Sequence, residues 1–367
     1  MNEPEQQNSA NLVGRTIAGR YTIRATVGAG GMGFVYRAVQ SPIEREVALK
    51  VLRVDLAHQD GIAERFTREA RAASRINHPN AITIYEFGED NGIFYLAMEL
   101  LSGETLRQRL RREPPLEVDH ALDIFEAMAG ALGAAHRVGV VHRDLKPDNI
   151  FLAQFEGLGE VVKVLDFGLA KLVHDAAGLE PLSVSRKSLT RTGVVFGTPE
   201  YMSPEQAEGT PMDHRTDLYA LGVLLYQLCT GEVPFSGSNF LVVITKAVQE
   251  APVPPSQRRA EAGLPPELEA LILRCMAKHP DERPGTAEEV IAALDAILAQ
   301  YPEPAGAQPE PLLTVTPKSG RRGGEATGQP IGQPVGQPIG EPARDPAREP
   351  AREPSREPTG PTPRPLD

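Results

Sequence analysis

A glycine-rich string, Gly28-Ala29-Gly30-Gly31-Met32-Gly33, sits between two segments that alternate apolar and polar residues, Tyr21-Thr22-Ile23 and Gly33-Phe34-Val35-Tyr36-Arg37-Ala38. Lacking Cβ atoms, such a turn lets backbone N–H groups approach phosphate oxygens closely. The segment after the glycines reads as a strand, where a dinucleotide-binding unit would place a helix, so that reading is disfavoured. Two polar strings follow at a distance, His142-Arg143-Asp144-Leu145-Lys146-Pro147-Asp148-Asn149 and Asp166-Phe167-Gly168. Each string alone is a weak signal. Together, in this order and at this spacing, they demand a fold that brings a phosphate cradle, a proton-accepting carboxylate and hard oxygen ligands to one cleft.

Periodicity describes the two sides of that cleft. From Tyr21 to Glu99 the pattern has period two, with further strand segments at Glu46–Leu52, Ile82–Tyr85 and Phe94–Met98. One helical stretch interrupts it, roughly Ile62 to Ile76, with Phe66, Ala70, Ala73 and Ile76 on one face. From Leu106 to Leu298 helical periodicity dominates, apart from short strands near Phe151-Leu152 and Val161–Leu165. The fold class expected is therefore α+β in two lobes: a small β-rich lobe at 21–101 and a larger helical lobe at 102–298, with a hinge near Glu99 to Gly103. A cleft between lobes is a natural ligand site.

Residues 1–20 read as a flexible lead-in, polar and acidic at the start and unlike a signal peptide. From 299 onward the chain reads as a disordered Pro/Gly/Arg/Glu-rich tail: Pro fills 16 of the last 67 positions, and a four-residue period emerges in Gly328-Gln329-Pro330-Ile331 and Ala347-Arg348-Glu349-Pro350. So little apolar surface cannot offset the entropy of ordering. A plain linker is one reading of this tail; a docking segment for a partner is the other.

A net charge of −11 argues against general nucleic-acid binding, which needs a basic surface. The longest apolar run, Leu218–Leu228, is too short to span a bilayer, so a cytoplasmic protein with no membrane contact is expected. Cys229 and Cys275 lie within apolar helical patterns and read as reduced core residues. The histidines outside the polar strings, His58, His120, His136, His174, His214 and His279, show no metal-ligand spacing.

From Tyr21 to about Leu298 the chain resembles the eukaryotic-like Ser/Thr protein kinases, in particular their bacterial branch. The resemblance extends beyond the three strings to His78-Pro79-Asn80, to Gly197-Thr198-Pro199-Glu200-Tyr201-Met202-Ser203-Pro204-Glu205 (Ser-Pro-Glu where many relatives have Ala-Pro-Glu), to Asp217 in Asp217-Leu218-Tyr219-Ala220-Leu221-Gly222, and to Arg283 in Asp281-Glu282-Arg283-Pro284. It implies the bilobal protein kinase fold and ATP with Mg²⁺ as cofactors, Mn²⁺ being an alternative. The implied nucleotide site comprises Val27, Gly28, Ala29, Gly30, Gly31, Met32, Gly33, Val35, Ala48, Lys50, Glu69, Met98, Glu99, Leu101 and Phe151. Val35 and Ala48 would cap the adenine and Phe151 would form its floor. Lys50 would hold the α- and β-phosphates, its ammonium fixed by Glu69, with Glu64 as the rival carboxylate. Asp144 is the implied base and Lys146 the cation for the γ-phosphoryl oxygens, while Asn149 and Asp166 are the metal ligands. Phe167 would pack under the helix that carries Glu69.

The same resemblance implies a buried Glu205–Arg283 pair, an Asp217 anchor for the loop backbone, and a Thr198 that bridges Asp144 and Lys146. Lys146 and Thr198 favour serine and threonine over tyrosine as acceptors. Between Asp166 and Glu205 stand Ser183, Ser185, Ser188, Thr190 and Thr192, of which Thr190 and Thr192 match the sites autophosphorylated in relatives; Arg143 would bind such a phosphate. Glu104 and Asp148 hint at basic residues before the target hydroxyl, although ordinary solvated acids explain them as well. The rival readings are a nucleotide-binding pseudokinase, a small-molecule phosphotransferase and an adaptor acting through the tail.

Overall fold

The computed structural model describes residues 12–30, 33–53, 61–168 and 198–300, all within one unit of the chain. Six strands form the small lobe: β1 (Thr16–Ile17), β2 (Tyr21–Ala29), β3 (Gly33–Gln40), β4 (Arg45–Leu52), β5 (Ile84–Asp90) and β6 (Ile93–Glu99). They make one antiparallel sheet in the order β1-β2-β3-β4-β6-β5. Helix α1 (Ile62–Ala73) interrupts them.

Alternation along β6 assigns the two faces of this sheet. Phe94 and Leu96 join Leu52 and the Ile62, Phe66 and Ala70 stripe of α1 in one buried cluster. Tyr95 and Ala97 face the other way, into a cluster with Tyr21, Ile23, Tyr36, Val47, Leu49 and Val51. Leu12 and Ile17, 4% and 2% exposed, belong to that second cluster. Residues 12–20 are thus part of the folded lobe, correcting the expected flexible lead-in. The short run of apolar residues there, Leu12, Val13, Ile17 and Ala18, follows no sustained period that would reveal it. Helix α1 also stops at Ala73 rather than Ile76, ending in tight turns that still bury Ile76.

The strand expected over Ile82–Tyr85 starts later, at Ile84, because residues 80–83 pair elsewhere. They run beside the small sheet of the helical lobe, formed by β7 (Gly103–Thr105), β8 (Ile150–Phe155) and β9 (Gly159–Val164). The Ile82 N–H donates to the Val164 carbonyl at 2.9 Å and the Val164 N–H to Asn80 at 2.7 Å. Between β7 and β8 lie α2 (Leu106–Arg112) and α3 (Val118–Arg137).

After the undescribed 169–197 come α4 (Pro204–Glu208), α5 (Arg215–Thr230), α6 (Phe240–Gln249), α7 (Pro255–Arg258), α8 (Pro266–Cys275) and α9 (Ala287–Leu298). Helices α3 and α5 are apolar nearly all round and form the centre of the largest core, with α8 and α9 packed against them. Gly222 of α5 permits a close approach: a Cβ there would lie 2.7 Å from the Cys275 Cβ and 3.3 Å from the Ile272 carbonyl oxygen. Cys229 and Cys275 are buried free thiols, and burial pushes both up to about 12, so they stay protonated and inert. The Glu205–Arg283 pair is present, with both guanidinium ends donating to the carboxylate at 2.7 Å.

Candidate active site

The glycine-rich turn closes the β2–β3 hairpin: the Gly30 N–H donates to the Gly33 carbonyl at 2.8 Å, and Gly33 returns the bond at 3.3 Å. Gly31 and Met32 lie outside the described residues. Gly33 must be glycine, since a Cβ would overlap the Val51 carbonyl, whereas Gly28 and Gly30 face open space. Val27 on β2 is 58% exposed.

Register then builds one wall. Val35 pairs with Lys50, Arg37 with Ala48, Ala48 with Met98, Lys50 with Leu96, and Val47 with Glu99. Alternation sets Ala48 and Lys50 on one face with their partners Val35 and Met98. Leu101 follows β6 directly, and Phe151, on β8, belongs to the opposite wall.

The polar strings meet beneath this wall. Lys50 Nζ lies 2.7 Å from Asp166 Oδ1, joining strand β4 to the residue two beyond β9. Burial would raise the Asp166 carboxyl, but the Lys50 ammonium outweighs it and, with His142 and Lys146, holds it below the usual carboxylate range. Asp166 and Arg143 both adopt positive φ, +57° and +66°. Such strain in non-glycine residues persists only where neighbours over-determine the backbone.

Here the neighbours are identifiable. Asp217 at the start of α5 accepts from the His142 and Arg143 N–H groups at 2.8 Å each, and from His136 Nε2 at 2.8 Å. Burial opposes the Asp217 charge, but the His136 bond and these donors hold its carboxyl low. The His142 Nδ1 accepts from the Asp144 N–H at 3.2 Å, so its Nε2 carries the proton given to the Leu165 carbonyl at 2.7 Å. The loop is thereby tied both to α5 and to the residue before Asp166.

On that loop, Asp144 Oδ2 accepts from Lys146 Nζ at 2.7 Å and from Asn149 Nδ2 at 3.1 Å. Asn149 Nδ2 also reaches the Asp144 carbonyl at 2.7 Å, which leaves its oxygen as a ligand. An amide oxygen and an ionised carboxylate suit a hard cation that takes its other ligands from phosphate and water. Among the described residues, no group of three or more His, Cys, Asp or Glu forms a metal cage. The Asn149 and Asp166 donors fit a hard divalent cation.

Four expected contacts differ. Glu69 pairs with Arg68 at 3.0 Å and not with Lys50, whose partner is Asp166. Glu64, the rival, lies exposed in the first turn of α1. Thr198 makes no hydrogen bond to Asp144 or Lys146, which bond each other directly. Glu104 is engaged by Arg109 and Arg112, and Asp148 by Arg107 at 2.8 Å, so both acids already pair with cations of this chain. Phe167 is buried, edge-on to the His142 ring at 5.1 Å, in the same cluster as Ala73 at the end of α1.

Sequence reasoning missed Lys163 and Arg107. A lysine inside the apolar run Val161-Val162-Lys163-Val164-Leu165 was the available signal for the first. Nothing in the spacing marked Arg107, whose partner lies 41 positions away.

The protein kinase domain model matches residues 21–293, and the chain belongs to that family. It is 47% identical over 286 residues to the serine/threonine-protein kinase pkn3 of Myxococcus xanthus, covering 78% of this chain and 51% of the relative. PrkC of Bacillus subtilis is 39% identical over 281 residues, with 77% and 41% covered. PknB of Mycolicibacterium smegmatis is 40% identical over 282 residues, with 76% and 43% covered. The chain thus spans about half the length of these curated relatives or somewhat less. Among solved structures, the kinase domain of PknI from Mycobacterium tuberculosis superposes with a TM-score of 0.60 at 30% identity, covering 79% of this chain and 99% of that one.

Proposed function

We propose that the chain is a Ser/Thr protein kinase that moves the γ-phosphoryl group of ATP to hydroxyls of protein substrates. The observation that carries this reading is the Asp144–Lys146–Asn149 constellation, held by Asp217 and set beside the Lys50–Asp166 pair. In the reaction a bond forms between the acceptor oxygen and the γ-phosphorus, and the bond from that phosphorus to the β-bridging oxygen breaks, releasing ADP. Asp144 orients the hydroxyl and takes its proton. Lys146, already beside Asp144, offers its ammonium to the transferring phosphoryl oxygens. Mg²⁺, or Mn²⁺ in its place, would be held by Asn149 and Asp166 and would neutralise charge on the phosphates. In this reading Val35 and Ala48 would lie above the adenine and Phe151 below it, with Val27, Met98, Glu99 and Leu101 at its edges; the shared face of Val35, Ala48 and Met98 supports it.

The test is Mg²⁺-dependent transfer from labelled ATP to a protein substrate by the full chain and by Asp144→Asn. Losing the base lowers the rate by about 10²–10⁴. An equally active Asp144→Asn chain would refute the assignment, and a wild type that binds ATP without transferring phosphate would make it a pseudokinase.

We also propose autophosphorylation at Thr190 and Thr192, which lie outside the described residues. In support, Arg143 Nε is buried and has no hydrogen-bond partner among the described residues, which leaves a donor that suits a phosphate. Phosphopeptide mapping of active enzyme should find one or both threonines modified; finding both bare ends the proposal. The Pro-rich tail, likewise outside the described residues, is proposed as a linker, with a docking segment for a partner as the alternative. Among the described residues no helix is long and apolar enough to cross a membrane. The free thiols accord with a reducing cytoplasmic setting.

A further inference from the structure

Lys163 lies on β9, three residues before Asp166, directly opposite Phe151 of β8. Cross-strand partners leave the same face of a sheet, so Lys163 emerges beside the residue that forms the adenine floor. Its ammonium is not spent locally. It crosses to Glu99, the last residue of β6, at 2.8 Å, and the two side chains are only 9% and 14% exposed. The same carboxylate oxygen accepts from the Thr83 N–H at 2.7 Å, and the Glu99 N–H donates to the Thr83 carbonyl at 3.0 Å. Residues 80–83 are themselves bonded to Val162 and Val164 of β9. The bonds close a ring: β9 to residues 80–83, these to Glu99, and Glu99 through Lys163 back to β9.

We propose that Lys163 is a positioning residue for the nucleotide site. Its ion pair with Glu99 clamps the hinge end of β6 to β9, the strand that pairs with the one carrying the adenine floor and leads to Asp166. Roof and hinge belong to one lobe, floor and metal carboxylate to the other, and this pair spans them in a poorly solvated place. Its loss would loosen the gap between the adenine and phosphate ends of the site. The inference rests on the ATP-site reading above. Misplacement of about an ångström at a binding site can cost about a hundredfold, although the residue that sets it touches no reacting atom.

The experiment compares the full-length wild type with Lys163→Met, Lys163→Arg and Lys163→Gln, measuring kcat, KM for ATP, KM for a peptide substrate, ATP binding by calorimetry and unfolding midpoints. Arg283→Met is the control, because it breaks a buried pair remote from the cleft. Lys163→Met should raise KM and Kd for ATP between about ten- and a hundredfold, leaving peptide KM unchanged, and Lys163→Arg should recover most of the loss. Arg283→Met should lower the unfolding midpoint without moving either ATP constant. If Lys163→Met fails to fold, Lys163→Gln, which keeps a donor without the charge, takes its place with the same expectation. The inference is overturned if ATP constants match the wild type, if Arg283→Met shifts them equally, or if kcat rises. A wild type that binds no ATP overturns the nucleotide-site reading as well.

Discussion

Lys50 and Asp166 face each other across 116 positions of chain, and the Lys50 charge helps to hold the Asp166 carboxyl low. With its carboxyl held low, Asp166 contributes stability that is complete above its usual value of 3.8 and lost as pH falls through the depressed one. In Lys50→Met the burial that raises this carboxyl would lose its largest opponent, with only His142 and Lys146 still acting against it. The variant should therefore be less stable than the wild type at about pH 7, and the gap should narrow as pH falls to about 4 and below, where the variant's carboxyl takes up its proton before the wild type's depressed one does. Urea unfolding of both proteins across that range checks the sign; a gap that widens on acidification would refute it. Asp144, Lys146, Asn149 and Asp166 were legible because each sits in a short contiguous string. The partner of Glu69 was not, because Arg68 is its immediate neighbour and wins the carboxylate in this arrangement. Lys163 and Arg107 escaped for a related reason: a long-range pair leaves no periodic trace.

Elements were readable wherever one face is buried and the other is not. The two faces of β6 and the stripe of α1 follow directly from periods of two and 3.6. Boundaries failed where tertiary pairing overrode local pattern, as at residues 80–83, which left the small-lobe sheet to bond β9. The α5–α8 contact gives a prediction in which two effects compete. Replacing a mid-helix glycine by alanine gains roughly 0.5–1 kcal/mol of backbone entropy. At Gly222 the new methyl would meet the Cys275 Cβ at 2.7 Å and a backbone oxygen at 3.3 Å, neither the end of a flexible side chain. Overpacking of about 1–3 kcal/mol should win, so Gly222→Ala should be destabilised in chemical denaturation, and a stabilised variant would show that the helices can part.

At the scale of the whole molecule the two-lobe plan was visible as a change of period from strand to helix. The site at their junction was visible because its strings come from both lobes. The extent of the small lobe was not, since the few apolar residues around Leu12 and Ile17 form no sustained period. Yet the Ile23 N–H and carbonyl are both engaged by residues 14 and 15, and the Tyr36 hydroxyl is bonded by the Leu12 backbone. Residues 12–17 act as a selvedge on the cloth of the sheet. A fragment cut at Tyr21, where the family match begins, would keep every site residue and yet expose β2 as a raw margin with unpaired N–H and carbonyl groups. Such a fragment should self-associate in light scattering while one that begins at Met1 stays monodisperse, and the outermost strand, far from any chemistry, would then be what keeps the protein a solitary particle.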